Sequence, residues 1–301
     1  MKEAQPDNQA SPFKKLTVIG TGLIGGSFLM ACRETNPGLH IRAVDRHDET
    51  LQYLLKHQLA DKVSLDVPDT FDADELTVIA IHLKDSLSLL RQIAPAIQSA
   101  SAVVTDIGSC KAPICALGDQ ILPTQFVGGH PLAGKEFSGV QHATSLLFAA
   151  KPYILCKPST AETDPTAEAH YQRVYQFIET HLRPKMRVLD PNNHDRYMAF
   201  MSHFPQLYAI LLSNLIDRNQ PGHLLPFYGT GVDEHLRLAA SPYEMWGDVF
   251  ELNADNIQAV MDKFRALYDQ SAEIFNQPAM TTWFDRSHQI YDTFHAFKRS
   301  Q

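Results

Sequence analysis

Residues 16–27 read LTVIGTGLIGGS, a β-branched run that ends in Gly20, Gly22 and Gly25 and passes straight into a segment of helical texture. In a GxGxxG turn between a strand and a helix, the first glycine allows the tight bend and the second lets the backbone approach a pyrophosphate. The third lets helix and strand pack closely, and the helix N-terminus holds the phosphate. Such a triplet alone is weak evidence; its context gives it weight. A strand (Leu16–Ile19) precedes it, a helix (Ile24–Glu34) follows it, and the next β-branched run, His40–Val44, ends in an acid, Asp45. A carboxylate there accepts hydrogen bonds from the adenosine ribose and repels a 2′-phosphate, so NAD is the expected cofactor. Arg46 follows directly and leaves NADP as a secondary cofactor. The expected cofactor contacts are Gly20, Gly22, Leu23, Ile24, Gly25, Asp45 and Arg46.

Outward from this turn, short apolar runs alternate with helical patterns up to about Leu155, as a doubly wound parallel sheet of Rossmann type requires. The further runs are Leu76–Leu83, Ala102–Asp106, Gln125–Val127 and Tyr153–Leu155, several of them continuously apolar, as in strands covered on both faces. The pair Asp164-Pro165 opens a helix carrying Tyr171, Val174, Tyr175, Ile178 and Leu182, and Met186–Leu189 closes the sheet. Beyond Asp190 only helices and loops are expected. From Pro191 to Asp217 one helix, interrupted near Pro205, carries Tyr197, Met201, Phe204, Tyr208, Leu211 and Leu215 as a single apolar stripe. A helix so apolar needs partners on most sides, which points to a helical domain that also forms a homodimer, the alternative being a monomeric helical cap. The organisation expected is a disordered tail over 1–13, a dinucleotide-binding domain over 14–189, and an all-helical substrate and dimerisation domain over 190–301.

The bulk properties agree. A chain of 301 residues with 44% apolar side chains buries a substantial core. Its 26 basic against 34 acidic residues, net −8, give no footing for nucleic acid, so a small-molecule substrate is expected. The polar opening KEAQPDNQASP resembles no secretory signal and no run is long enough to cross a bilayer, so the expectation is a cytoplasmic protein without membrane contact. Cys32, Cys110, Cys115 and Cys156 form no CxxC pair and the histidines no HExxH spacing. Reduced thiols and no metal site are expected.

Open α/β sheets place their chemistry at the carboxyl ends of strands. TDIGSCK (105–111) lies at one such end and makes Ser109 a candidate hydrogen-bonding residue. GGHPLAGKEFSG (128–139) lies at the next, with His130 in a turn bounded by glycine and proline. Removing hydride from a carbon that bears a hydroxyl requires a group to take the hydroxyl proton, and histidine suits that near neutral pH.

These three blocks, with DPNNHDRYMAFMSHFPQ (190–206) and RLAASPYEMWGD (237–248), resemble the prephenate and arogenate dehydrogenases of tyrosine biosynthesis, over about Lys15 to Asn253. The resemblance implies NAD-dependent oxidative decarboxylation of prephenate, or of arogenate. It implies His130 as general base, Ser109 as the serine that orients substrate hydroxyl and histidine, and Arg237 as the grip on a substrate carboxylate. It also implies Trp246 as an approach from the neighbouring subunit, and Ser202 and His203 as the start of a Ser-His-x-Pro-His substrate motif. Two departures stand out. Gln206 replaces the second histidine of that motif, an amide that hydrogen-bonds without gaining charge. Ile81-His82-Leu83 stands where the family tends to have a proline, and His82 is expected merely to pack or face solvent. Asp195 and Asp248 are expected as helix caps or salt-bridge partners. The competing readings are another two-domain NAD(P) hydroxyacid dehydrogenase, which would place a lysine base after Asp190, and a non-catalytic NAD-binding regulator. The short stretch after Trp246 implies no appended regulatory domain.

Overall fold

A computed structural model describes residues 11–135, 137–219 and 221–300. Eight strands form one sheet: β1 Lys15–Ile19, β2 His40–Val44, β3 Lys62–Ser64, β4 Glu75–Ile79, β5 Val103–Asp106, β6 Phe126–Pro131, β7 Pro152–Cys156 and β8 Lys185–Val188. Their order is β3-β2-β1-β4-β5-β6-β7-β8, the Rossmann order extended by two strands. Every pairing is parallel except β6 with β7. Helices α1 (Leu23–Thr35), α2 (Asp48–Lys56), α3 (Leu83–Ala100), α4 (Ala112–Ile121) and α5 (Pro165–Leu182) link the strands. The β1, β4 and β5 side chains are buried almost throughout, which explains their unbroken apolar runs.

The described residues form two compact units, one running to Asn253 and the other starting at Ala254. The first continues past the sheet through α6 (Pro191–Met198), one wide π-helical turn (Ala199–His203), α7 (Phe204–Asp217), α8 (Pro221–Leu224), α9 (Thr230–Ala239) and α10 (Tyr243–Leu252). The second consists of α11 (Ala254–Ile274) and α12 (Ala279–Ser300). Among the described residues no helix is long and apolar enough to cross a membrane.

Several boundaries differ from the expectation, each for a physical reason. The run Leu76–Leu83 is strand only to Ile79. Leu83 is apolar because it opens α3 and packs with Cys110, Val249 and Trp246. Residues 62–64 form an edge strand too short and too exposed to show an apolar run. Residues 1–10 of the expected tail lie outside the described residues, whereas Phe13 is fully buried edge-on against Phe177, with the Arg173 guanidinium 4.3 Å over its ring. The helix expected over 191–217 is divided by the π-helical turn just before Pro205, which has no N–H for the ladder. In this chain Tyr197, Met201, Tyr208, Leu211 and Leu215 of its apolar stripe are exposed, while His203, Gln206 and Ala209 face inward.

Candidate active site

Because β1, β2, β4, β5 and β6 are parallel, their carboxyl ends share one edge of the sheet. Three groups of site residues meet there.

The first is the glycine loop. Gly20 has φ +89°, and a Cβ on it would lie 2.4 Å from the Ala80 carbonyl oxygen. A Cβ on Gly25 would lie 2.0 Å from the Gly20 oxygen. Both glycines are therefore demanded by close backbone approach. A Cβ on Gly22 would meet nothing within 4 Å, and no side chain caps α1, which begins at Leu23 and Ile24. Open space beside an uncapped helix N-terminus fits a pyrophosphate. Asp45, just past β2, is half-buried. Its Oδ2 accepts from the Thr21 N–H (2.7 Å) and hydroxyl (3.0 Å), and its Oδ1 from the His47 N–H (3.0 Å). Arg46 is exposed, its Nε 3.1 Å from His47 Nε2.

The second group lies under the β5 and β6 ends. Asp106 and Lys111, both wholly buried, form an ion pair, and Lys111 Nζ also donates to the Gly129 carbonyl at 2.8 Å. Asp106 accepts from the Gly129 N–H (3.1 Å) and the Gly108 N–H (2.8 Å). Burial pulls the ammonium's pKa down, but the carboxylate beside it outweighs that and leaves it above the ordinary lysine value. The pair ties the 107–110 turn, with half-buried Ser109, to β6. His130 lies within β6, paired with Ile154 of β7, rather than in a turn. The glycines before it serve close approach instead: a Cβ on Gly128 would press on Cys115 Sγ at 2.5 Å, and one on Gly129 on the Asp106 oxygen at 2.5 Å.

His130 starts a buried relay. Its Nδ1 is 2.8 Å from His194 Nε2, and His194 Nδ1 is 2.7 Å from Asp195 Oδ1. The Asp195 carboxylate also accepts the Lys111 and Ala112 N–H groups, at 2.7 and 2.9 Å, and so caps α4 from a distance in sequence. An ionised carboxylate only accepts. His194 must therefore donate from Nδ1, a neutral His194 accepts at Nε2, and His130 donates from Nδ1. His130 Nε2 then carries the lone pair, and it makes no hydrogen bond to a described residue. Burial first, then His194 and Lys111, holds the His130 imidazolium well below the ordinary histidine pKa. The neutral base is therefore the resting form.

The third group is helical. His203 Nδ1 is 2.9 Å from Asn253 Nδ2, which also donates to the Asp195 main-chain oxygen at 2.8 Å. Trp246 is half-buried within its own chain, edge-on to His203 at 6.1 Å between centroids and packed with Leu83 and Cys110; it reaches this cluster in cis, because α10 lies against α3. Gln206 is buried and donates to the Leu238 carbonyl at 2.9 Å, fastening α9 beside exposed Arg237, while Ser202 is half-buried on the π-helical turn. Asp195 and Asp248 do cap helices, the latter accepting the Lys84 N–H of α3 at 3.1 Å, and His82 is exposed. Glu136 lies outside the described residues. Reading the sequence missed His194, Asn253 and the Asp106–Lys111 pair. The only signal was the adjacent His-Asp pair after Asp190-Pro191.

Fold and site together define the class, an oxidoreductase built on a nucleotide-binding sheet. Residues 29–182 match the family described as prephenate dehydrogenase, nucleotide-binding domain, and residues 190–286 its dimerization domain. The chain is 31% identical over 259 residues to the prephenate dehydrogenase of Bacillus subtilis (83% of this chain, 66% of that protein). It is 30% identical over 265 residues to that of Lactococcus lactis (86% of this chain, 70% of that protein). The solved prephenate dehydrogenase of A. aeolicus, in complex with hydroxyphenyl propionate and NAD+, shares the fold with a TM-score of 0.80 at 23% identity, over 96% of this chain and 100% of that one. Arogenate dehydrogenase of Synechocystis shares it with a TM-score of 0.73 at 23% identity, over 95% of this chain and 100% of that one. The chain belongs to the prephenate dehydrogenase family.

Proposed function

We propose that this protein oxidatively decarboxylates prephenate to 4-hydroxyphenylpyruvate with NAD, a step of tyrosine biosynthesis. The observation that carries the reading is the Asp195–His194–His130 relay, which leaves His130 Nε2 as a bare base at the carboxyl edge of the sheet. NAD, when bound by the Gly20–Gly25 loop, the α1 N-terminus and Asp45, supplies the acceptor for a hydride. His130 takes the proton of the ring hydroxyl as hydride leaves the same carbon, oriented by Ser109. After the ring carboxylate has left as carbon dioxide, His130 returns that proton to the ring oxygen. The ring becomes aromatic, and from the prephenate dianion no net proton is released. Arg237 binds a substrate carboxylate, a task suited to its planar paired donors; Ser202, His203, Gln206 and Trp246 contact the substrate side chain.

The same reading makes residues 190–301 the substrate and dimerisation domain. The exposed stripe from Tyr197 to Leu215 belongs to the homodimer face, NADP is a secondary cofactor and the location is the cytoplasm. Arogenate as substrate has one observation in its favour: Gln206 Oε1 is a buried acceptor without a partner, which suits an amino group. Following NADH formation with prephenate, arogenate and a short hydroxy acid tests the proposal. NADH is expected with prephenate, and none with either cyclohexadiene overturns it.

A further inference from the structure

The two histidines of the site both lead back to Asp195, but to different parts of it. His130 reaches the carboxylate through His194. His203 reaches the main-chain oxygen through the Asn253 amide. The orientation of that amide is not open to choice. The atom 2.8 Å from the Asp195 carbonyl must be the NH2 nitrogen, because a carbonyl only accepts. The same nitrogen then gives its second hydrogen to His203 Nδ1, so Nδ1 is an acceptor and the proton of a neutral His203 sits on Nε2. Burial holds His203 neutral, with a pKa of about 4, the Asp195 charge raising it and His194 lowering it. His203 Nε2 is buried and has no hydrogen-bond partner, and the same holds for Nε1 of Trp246, the ring set edge-on to it. Two neighbouring buried donors without an acceptor are what a ligand oxygen would satisfy, since buried polar groups are otherwise almost always paired.

We propose that Asn253 is a positioning residue that locks His203 as an Nε2–H donor, so that His203 and Trp246 together donate to one acceptor oxygen, carboxylate or keto, of the substrate side chain. The two histidines thus meet the substrate with opposite polarity, His130 accepting and His203 donating. The inference rests on the proposed function for the identity of the ligand but not for the tautomer.

Long-range proton–nitrogen correlation on the full-length [15N]histidine-labelled protein near pH 7.5 tests it. The His203 signals are identified by their absence from His203→Gln. The Nε2–H tautomer is expected, and an Nδ1–H tautomer overturns the proposal whatever substrate the enzyme prefers. The second arm is Asn253→Asp, whose carboxylate is acceptor-only and forces the proton to Nδ1. In that variant KM for prephenate should rise at least about tenfold, the worth of one hydrogen bond to a charged group, with a smaller fall in kcat. A folded Asn253→Asp with unchanged KM overturns it as well.

Discussion

The glycine loop at Gly20 and the cluster around Asp195 sit in the same compact unit, yet they are held by different forces. In the loop, shape comes from backbone sterics: Gly20 and Gly25 are fixed by contacts that leave no room for a methyl group, and Asp45 ties the turn through Thr21. In the cluster, shape comes from buried charges and imidazoles that satisfy one another across long stretches of chain. His130 and His194 lie 64 residues apart, and Lys111 and Asp195 lie 84 apart. Steric sites should therefore fail locally when altered, while polar networks should fail as units.

The largest effect falls on the buried pair beneath both strand ends. Lys111→Met leaves Asp106 charged, buried and unpaired, and should cost about 3–5 kcal/mol. Denaturant unfolding measures it, and a loss under about 1 kcal/mol would mean that strand packing rather than the pair holds β5 to β6. Next comes Asp195→Asn, which removes the acceptor-only anchor of the relay. Because one more imidazole intervenes than in a Ser-His-Asp triad, a fall in kcat of about 10²–10³ is expected, below the ~10⁴ of that template. Steady-state kinetics with prephenate would expose unaltered turnover, which would separate the anchor from catalysis.

The glycines sharpen the contrast on the other side. Gly25→Ala should unfold at clearly lower temperature, whereas Gly22→Ala, facing open space, should keep its melting temperature and bind NAD about tenfold more weakly, the loss of roughly one good contact. Calorimetric titration of NAD against both variants distinguishes a steric cradle from a simple turn, in which the two would behave alike. The smallest effect concerns pH. His130 acts when neutral and its imidazolium is disfavoured by burial, so the acid limb of kcat/KM should lie below the ordinary histidine value of about 6.5. A limb at or above that value contradicts the buried relay.

This difference also explains what was legible in the sequence. The Rossmann half announces itself because its determinants are local: LTVIGTGLIGGS carries strand, turn and helix within 12 residues, and Asp45 closes the next strand. His130 and Ser109 were legible as strand-end residues, although His130 proved to be part of β6. His194 and Asn253 were not, because nothing near them in sequence marks them as partners of His130 and His203; only folding brings them together. Asp195 was read as a cap or an ion-pair residue and is a cap that also accepts from neutral His194, which no local pattern distinguishes from an ordinary cap. The apolar stripe from Tyr197 to Leu215 was legible as a stripe, but its exposure in the single chain depends on which face α7 turns toward α9.

One imidazole performs the proton transfer, and His130→Asn removes it. With prephenate and NAD, turnover should fall by about 10²–10⁴ while titration shows NAD and prephenate still bound. A variant that forms NADH at nearly the rate of the unaltered protein would contradict it.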